Sequence, residues 1–119
     1  MRILLDHNVP IGVRALFPEH EIHTVVEMRR QPQIENGELI TAAESTRFDV
    51  LITSDLNIEH QQNLQGRKLA FIVLGSNIWP IVRSYGHAIA EALQKATPGG
   101  VQFIEMTLPK KPQKSSSSQ

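Results

Sequence analysis

Three carboxylates in this chain stand where they could act on one ligand. Asp6 follows the apolar run Ile3-Leu4-Leu5, and Asp55 follows Val50-Leu51-Ile52-Thr53-Ser54. Glu38 lies in Asn36-Gly37-Glu38-Leu39-Ile40, at the start of a predicted helix. Continuous apolar runs rich in strand-favouring residues read as strands buried on both faces. In an open α/β sheet the carboxyl ends of the strands form the ligand edge. If the two strands are parallel neighbours, Asp6 and Asp55 share one cleft although 49 positions separate them. Three negative charges in one cleft repel, and a bound divalent cation relieves the repulsion. Oxygen ligands without metal-like Cys or His spacing select Mg²⁺ or Mn²⁺ over zinc. A cation so held keeps positions open for water and phosphate oxygens. That arrangement suits phosphodiester hydrolysis without a protein nucleophile.

Each carboxylate also has an ordinary role. A strand-end Asp commonly bonds the backbone of its own turn or caps a helix. A Glu in a first turn is stabilised by the helix dipole. Taken singly, those roles are the commoner ones, and only the joint pattern points to a site. His7, His20, His23, His60 and His87 show no metal-like spacing and read as surface or turn residues.

The elements that must position these groups alternate. Strands are predicted over 2–5, 21–26, 49–54, 69–74 and 101–106. Pro10 suits the first turn of a helix over 10–17, with Asn8 able to cap it. Asn36 caps a second helix through Arg47, and 57–64 reads as a short helix or turn that Gly66 ends. Asn77 with Pro80 opens the longest helix, to about Lys95, whose apolar positions follow the 3.6 period. Strands alternating with helices give a parallel, doubly wound α/β sheet with the first strand central. At 119 residues the chain is one domain with a real core. It occupies 1–107, because 108–119 is rich in Pro, Lys, Gln and Ser and reads as a disordered tail.

The totals narrow the function classes. Cysteine is absent, so there is no disulfide framework and no cysteine zinc site. No apolar signal segment or spanning helix is visible, and a cytoplasmic protein with no membrane partner is expected. Twelve basic and twelve acidic residues cancel, so any nucleic-acid binding must use a local patch. Arg29 and Arg30, in the poorly patterned stretch before Glu38, are candidates for that patch, and equally for a solvated loop pair.

The runs Leu4-Leu5-Asp6-His7-Asn8-Val9-Pro10, Asn36-Gly37-Glu38-Leu39-Ile40, Phe48-Asp49-Val50-Leu51-Ile52-Thr53-Ser54-Asp55 and Gln61-Gln62-Asn63-Leu64 together resemble a family of short PIN-like proteins. That family is related to the PIN nucleases that act as toxins in toxin–antitoxin pairs. The resemblance covers about residues 2 to 75 well and the rest loosely. It implies a three-layer domain: a mostly parallel central sheet of about five strands with helices on both faces. It also implies a metal-dependent endoribonuclease acting on single-stranded RNA, with Mg²⁺ or Mn²⁺ held by Asp6, Glu38 and Asp55. Asn8 and Thr53 would be the polar support, and an antitoxin protein a partner. PIN nucleases commonly add a fourth acidic residue, and here Asn57 holds its place. An amide can coordinate through oxygen but brings no charge, so weaker metal binding is expected. Gln61 and Gln62 could touch phosphate or ribose, or else form a polar helix face.

Two other classes compete. One is the same fold with a weak or inactive site, serving as a protein- or RNA-binding module; Asn57 and the zero net charge favour it. The other is a phosphoacceptor receiver domain with Asp55 as acceptor and Lys111-Pro112 echoing its lysine. It fares badly, because the receiver's final helix is missing and Asp6 is followed by His7 rather than an acid. Trp79 and Tyr85 could supply a homodimer surface or pack on the sheet. Asp6→Asn and Asp55→Asn are expected to abolish Mn²⁺ binding with little loss of stability.

Overall fold

The computed structural model describes residues 1–28, 36–64 and 66–107. Strands β1 (Arg2–Leu5), β2 (Glu21–Thr24), β3 (Val50–Thr53), β4 (Ala70–Leu74) and β5 (Val101–Ile104) form one sheet. Its order is β2-β1-β3-β4-β5, and every pair is parallel. Among the described residues five helices connect the strands: α1 (Val13–Leu16), α2 (Asn36–Ser45), α3 (Ile58–Gln61), α4 (Trp79–Arg83) and α5 (Gly86–Gln94). The domain is a three-layer α/β fold. The middle strand is β3 rather than β1, which is interior but second in the row.

The burial pattern explains the layers. Every residue of β3 and β4 is buried, so both faces of these strands need cover. Ile3, Leu5, Val50, Ile52, Ile72 and Leu74 face one layer, with Val13 of α1, Ile81 and Val82 of α4, and Ile89 and Leu93 of α5. Leu4, Leu51, Phe71 and Val73 face the other, with Leu39 and Ile40 of α2 and Ile58 of α3. Alternation along each strand thus becomes two separate cores.

The layers also fix the hand of the connections. From β1 to β2 the chain moves one way across the sheet over the α1 face. From β2 to β3, and from β3 to β4, it moves the other way over the opposite face, which is the same hand. From β4 to β5 it keeps that direction but returns to the α1 face, so this crossover has the opposite hand. Parallel crossovers share one hand in about 98% of cases. The exception has a cost in cover: α4 and α5 lie against Gln102 and Ile104, and Phe103 on the other face of β5 is 58% exposed.

Several predicted elements are shorter. The helix expected over 10–17 is only Val13–Leu16, preceded by turns, and its N-cap Gly12 makes no side-chain cap bond. Asn8 therefore does not cap it. A Cβ at Gly12 would lie 2.6 Å from the Trp79 indole, so that backbone must be bare for α1 to sit on α4. Trp79 and Tyr85 pack against the α1-side core, as the sheet-packing alternative has it. The long helix expected over 77–95 breaks into α4 and α5 at Ser84-Tyr85, where Ser84 Oγ donates to the Ile81 carbonyl (2.6 Å). Among the described residues no helix is long and apolar enough to cross a membrane.

Candidate functional site

The winding reverses between β1 and β3, so the turn after β1 heads for the α1 face and the turn after β3 for the α3 face. A crevice at the carboxyl edge follows from that divergence. Asp6 stands on one side of it and Asp55 on the other.

One hydroxyl joins the two. Thr53, fully buried at the end of β3, donates its Oγ1 hydrogen to Asp6 Oδ2 (2.8 Å) and accepts the Asp55 amide (3.1 Å). A second stitch crosses the crevice at Asn8. Its Oδ1 accepts the Ser54 amide (3.2 Å), and its carbonyl accepts Ser54 Oγ (3.3 Å). Asn8 thus holds the two strand-end turns together. The Asp6 amide completes the register by donating to the Ile52 carbonyl (2.9 Å).

The two aspartates sit in different surroundings. Asp6 is 3% exposed, and besides Thr53 it accepts the His7 amide (2.8 Å) and faces His7 Nδ1 (3.0 Å), both at Oδ1. A carboxylate offers about four acceptor positions, so three partners nearly saturate it. Asp55 is half-buried. Its Oδ2 accepts the Asn36 amide (2.6 Å) and its Oδ1 the Asn57 backbone N–H (3.0 Å). Asn36 opens α2, so that contact brings the helix bearing Glu38 up to Asp55. Glu38 itself is exposed in the first turn of α2. Asn57 precedes α3 and makes no side-chain cap bond to it. Gln62 lies against the start of α2, where its Oε1 is 3.3 Å from the place a Cβ on Gly37 would take. Arg29, Arg30 and the side chain of Gln61 lie outside the described residues, as does the 108–119 segment.

The donor set can be tested against a cation. Among the described residues no three of His, Cys, Asp and Glu stand close enough together to hold a metal ion. A closed cage of Asp6, Glu38 and Asp55 is therefore not formed by these side chains as they stand. Mg²⁺ asks for fewer protein ligands than such a cage, since it takes one or two carboxylates and completes its shell with water and substrate phosphate.

Beside Asp6 an open cleft of about 550 Å³ runs between the turns after β1 and β2, lined by His7, Val9, Ile11, Thr24, Val25 and Val26 among others. Residue spacing gave no sign of His7 and Asn36 as partners of the two aspartates. The available signal for His7 was its place directly after a strand-end Asp, from which a ring nitrogen can reach back to the carboxylate.

No family model matches the chain, and neither a characterised protein nor a solved structure matches it.

Proposed function

We propose that this domain is a divalent-metal-dependent ribonuclease of the PIN-like type. The observation that supports it most is the Thr53 hydroxyl shared by Asp6 and the Asp55 amide at the topological switch. It brings carboxylates from distant parts of the sequence to the edge where α/β sheets bind ligands. Mg²⁺ or Mn²⁺, when bound, would supply an activated water and neutralise charge on the scissile phosphate.

The chain's own residues divide the remaining work. Asp55, half-buried at the crevice, is the accessible carboxylate. Glu38, two residues after the Asn36 that bonds Asp55, would add a carboxylate from α2, and the Asn57 amide would stand in for a fourth acid. Asp6 and Thr53 hold the Asp55 turn in place, and Asn8 locks it to the turn after β1. The apolar cleft beside Asp6 suits an uncharged, flat group such as a nucleobase next to the phosphate. Ile11, Val26, Leu56 and Ile78 are each more than half exposed on turns of this edge, a surface an antitoxin protein would cover.

The reading is tested by incubating single-stranded RNA with the protein and Mn²⁺, with and without a chelator. Chelator-sensitive cleavage that is lost in Asp55→Asn is the expected result. Cleavage indifferent to chelator, or an Asp55→Asn variant as active as the parent, removes the nuclease. A binding module would instead retain RNA in a gel shift while leaving it uncut.

A further inference from the structure

The sheet ends on one side at β5, and the ladder to β4 shows which groups lie along that edge. The Phe71 amide donates to the Gly100 carbonyl and the Gly75 amide to the Ile104 carbonyl (2.9 Å each). With Phe71 opposite Val101 and Val73 opposite Phe103, the backbone groups of Gln102 and Ile104 point toward β4. The N–H and C=O groups of Val101, Phe103 and Glu105 point the other way, off the sheet. Among the described residues nothing bonds them. The side chains divide by alternation. Gln102 and Ile104 lie on the covered face, where Gln102 Nε2 donates to the Ala92 carbonyl of α5 (2.7 Å). Val101 packs against the α2-side core, while Phe103, the middle residue of the outward three, stays 58% exposed.

The opposite edge of the sheet is guarded. On β2 the outward groups of Thr24 are in use: its amide donates to Glu27 Oε1 (3.0 Å), and its carbonyl accepts the Met28 amide (3.3 Å). A charged side chain folded over an edge strand discourages the addition of another strand. A head-to-tail sheet of β5 on β2 is therefore blocked at Thr24. Along β5 the first charge is Glu105, just past the end of the strand.

The β5 edge is complementary to itself. A twofold axis makes two such strands antiparallel. Set at Phe103, the axis puts Phe103 opposite its own copy and Val101 opposite Glu105 of the second copy. Each copy then offers three donors and three acceptors, and all of them find partners. The two Glu105 carboxylates stay apart. The two exposed phenyl rings meet on one face of the seam, where a cross-strand aromatic pair is favourable.

We propose that β5 is the seam of a symmetric dimer, in which a second copy of this chain adds its own β5 antiparallel and joins the two sheets edge to edge. The proposal stands apart from the ribonuclease reading. Asp55 follows β3, two strand spacings or about 10 Å from β5, so the seam leaves its crevice open.

The full chain is the material for the test. Sedimentation velocity over about 10–500 µM should show the mass rising from that of one chain, 13.3 kDa, toward twice that value. F103E and F103K each set like charges opposite one another at the seam and should stay monomeric. An equimolar mixture of the two should form the dimer again, because Glu then faces Lys. Phe103 is exposed, so both variants should fold as the parent does, checked by circular dichroism. Amide exchange followed by NMR reads the edge directly. The Val101 and Glu105 amides should exchange about tenfold or more slowly in the parent dimer than in F103E or in the diluted parent, with Gln102 and Ile104 slow in all three. A parent that stays monomeric overturns the proposal, as does a dimer that F103E retains or a mixture that stays monomeric. Edge amides that are slow in a monomeric parent overturn it too, since the edge is then covered within one chain.

Discussion

Replacing Asp6 by Asn tests whether this carboxylate is chiefly a structural hub. Asp6 is 97% buried and takes three contacts: the Thr53 hydroxyl on Oδ2, and the His7 amide and ring nitrogen on Oδ1. An amide presents one acceptor and one donor in place of two acceptors. With its oxygen toward His7, its NH₂ meets Thr53 Oγ1, which already accepts the Asp55 amide and then has no acceptor for its own hydrogen. With its oxygen toward Thr53, its NH₂ opposes the His7 N–H. Either choice forfeits a hydrogen bond to a carboxylate, worth about 1.5–3 kcal/mol when buried.

For a domain of this size each kcal/mol moves the melting temperature by about 4–8 °C, so Asp6→Asn should lower it by about 10 °C. Asp55→Asn is milder, because its surroundings are half open to water and the Asn36 side-chain amide can turn its oxygen toward an NH₂ in place of Oδ2; about 1 kcal/mol is expected. Differential scanning calorimetry of both variants without metal measures the pair. An Asp6→Asn variant melting within about 2 °C of the parent would refute the account of a saturated hub. Asp6 read only as a metal ligand implies little stability loss on Asp6→Asn; its three buried contacts imply a larger one. Lost activity in Asp6→Asn would not identify a catalytic group, whereas lost activity in a well-folded Asp55→Asn would.

Thr53→Val keeps the shape of a fully buried residue but removes the bridge, stranding the Asp55 amide and one Asp6 oxygen; a loss of about 1–3 kcal/mol by urea unfolding is expected, with Thr53→Ser recovering most of it. Gly12→Ala places a methyl 2.6 Å from the Trp79 ring, and overpacking of that kind costs about 1–3 kcal/mol. Because Trp79 is the only tryptophan, its fluorescence should shift in the folded state of that variant. Glu44 and Glu27 should destabilise the fold on acidification. Burial pushes the Glu44 carboxyl up, but the Lys68 and Leu69 amides and the Arg67 guanidinium together hold it below its ordinary value of 4.5. The Arg14 guanidinium and the Thr24 amide lower Glu27 likewise. The unfolded chain then binds more protons than the fold below about pH 4.5, so this stability is present above that value and drains as pH falls through the native pKa values. Glu44→Gln should flatten the fall in melting temperature between about pH 5 and pH 3.

The strands were legible because burial on both faces leaves a continuous apolar run, and β1, β3 and β4 each show one. The break between α4 and α5 was not. The apolar period passes through Ser84 with its phase intact, and the back-bond from its hydroxyl to the Ile81 carbonyl is a local choice that period cannot register. The hand of the last crossover was equally hidden, because α5 presents the same stripe whichever face of the sheet it covers. At the site, sequence identified Asp6 and Asp55 as strand-end groups, but their partners depend on tertiary placement. Asn8 and Asn36 both look like helix caps, a role in which their side chains would bond the helix that follows. In the fold Asn8 bonds the β3-end turn instead, through Ser54, and Asn36 reaches that turn through Asp55.

Those exchanged partners show why the crevice can be both stable and open. Two strand-end turns that diverge to opposite faces leave backbone donors at their separation, and buried donors without acceptors are costly. Here Asp6 accepts the His7 amide, Thr53 the Asp55 amide and Asn8 the Ser54 amide, each from a turn residue beside the switch. The side chains nearest the sheet are therefore consumed in closing the fold. Under the proposed function, the groups left for chemistry are Asp55, Glu38 and Asn57, which are more open to water than Asp6 and Thr53. A cation placed there would draw on Asp55 first and on Asp6 only through its one remaining acceptor position. Metal affinity should accordingly respond far more to substitution of Asp55, Glu38 and Asn57 than stability does, and the reverse should hold for Asp6 and Thr53.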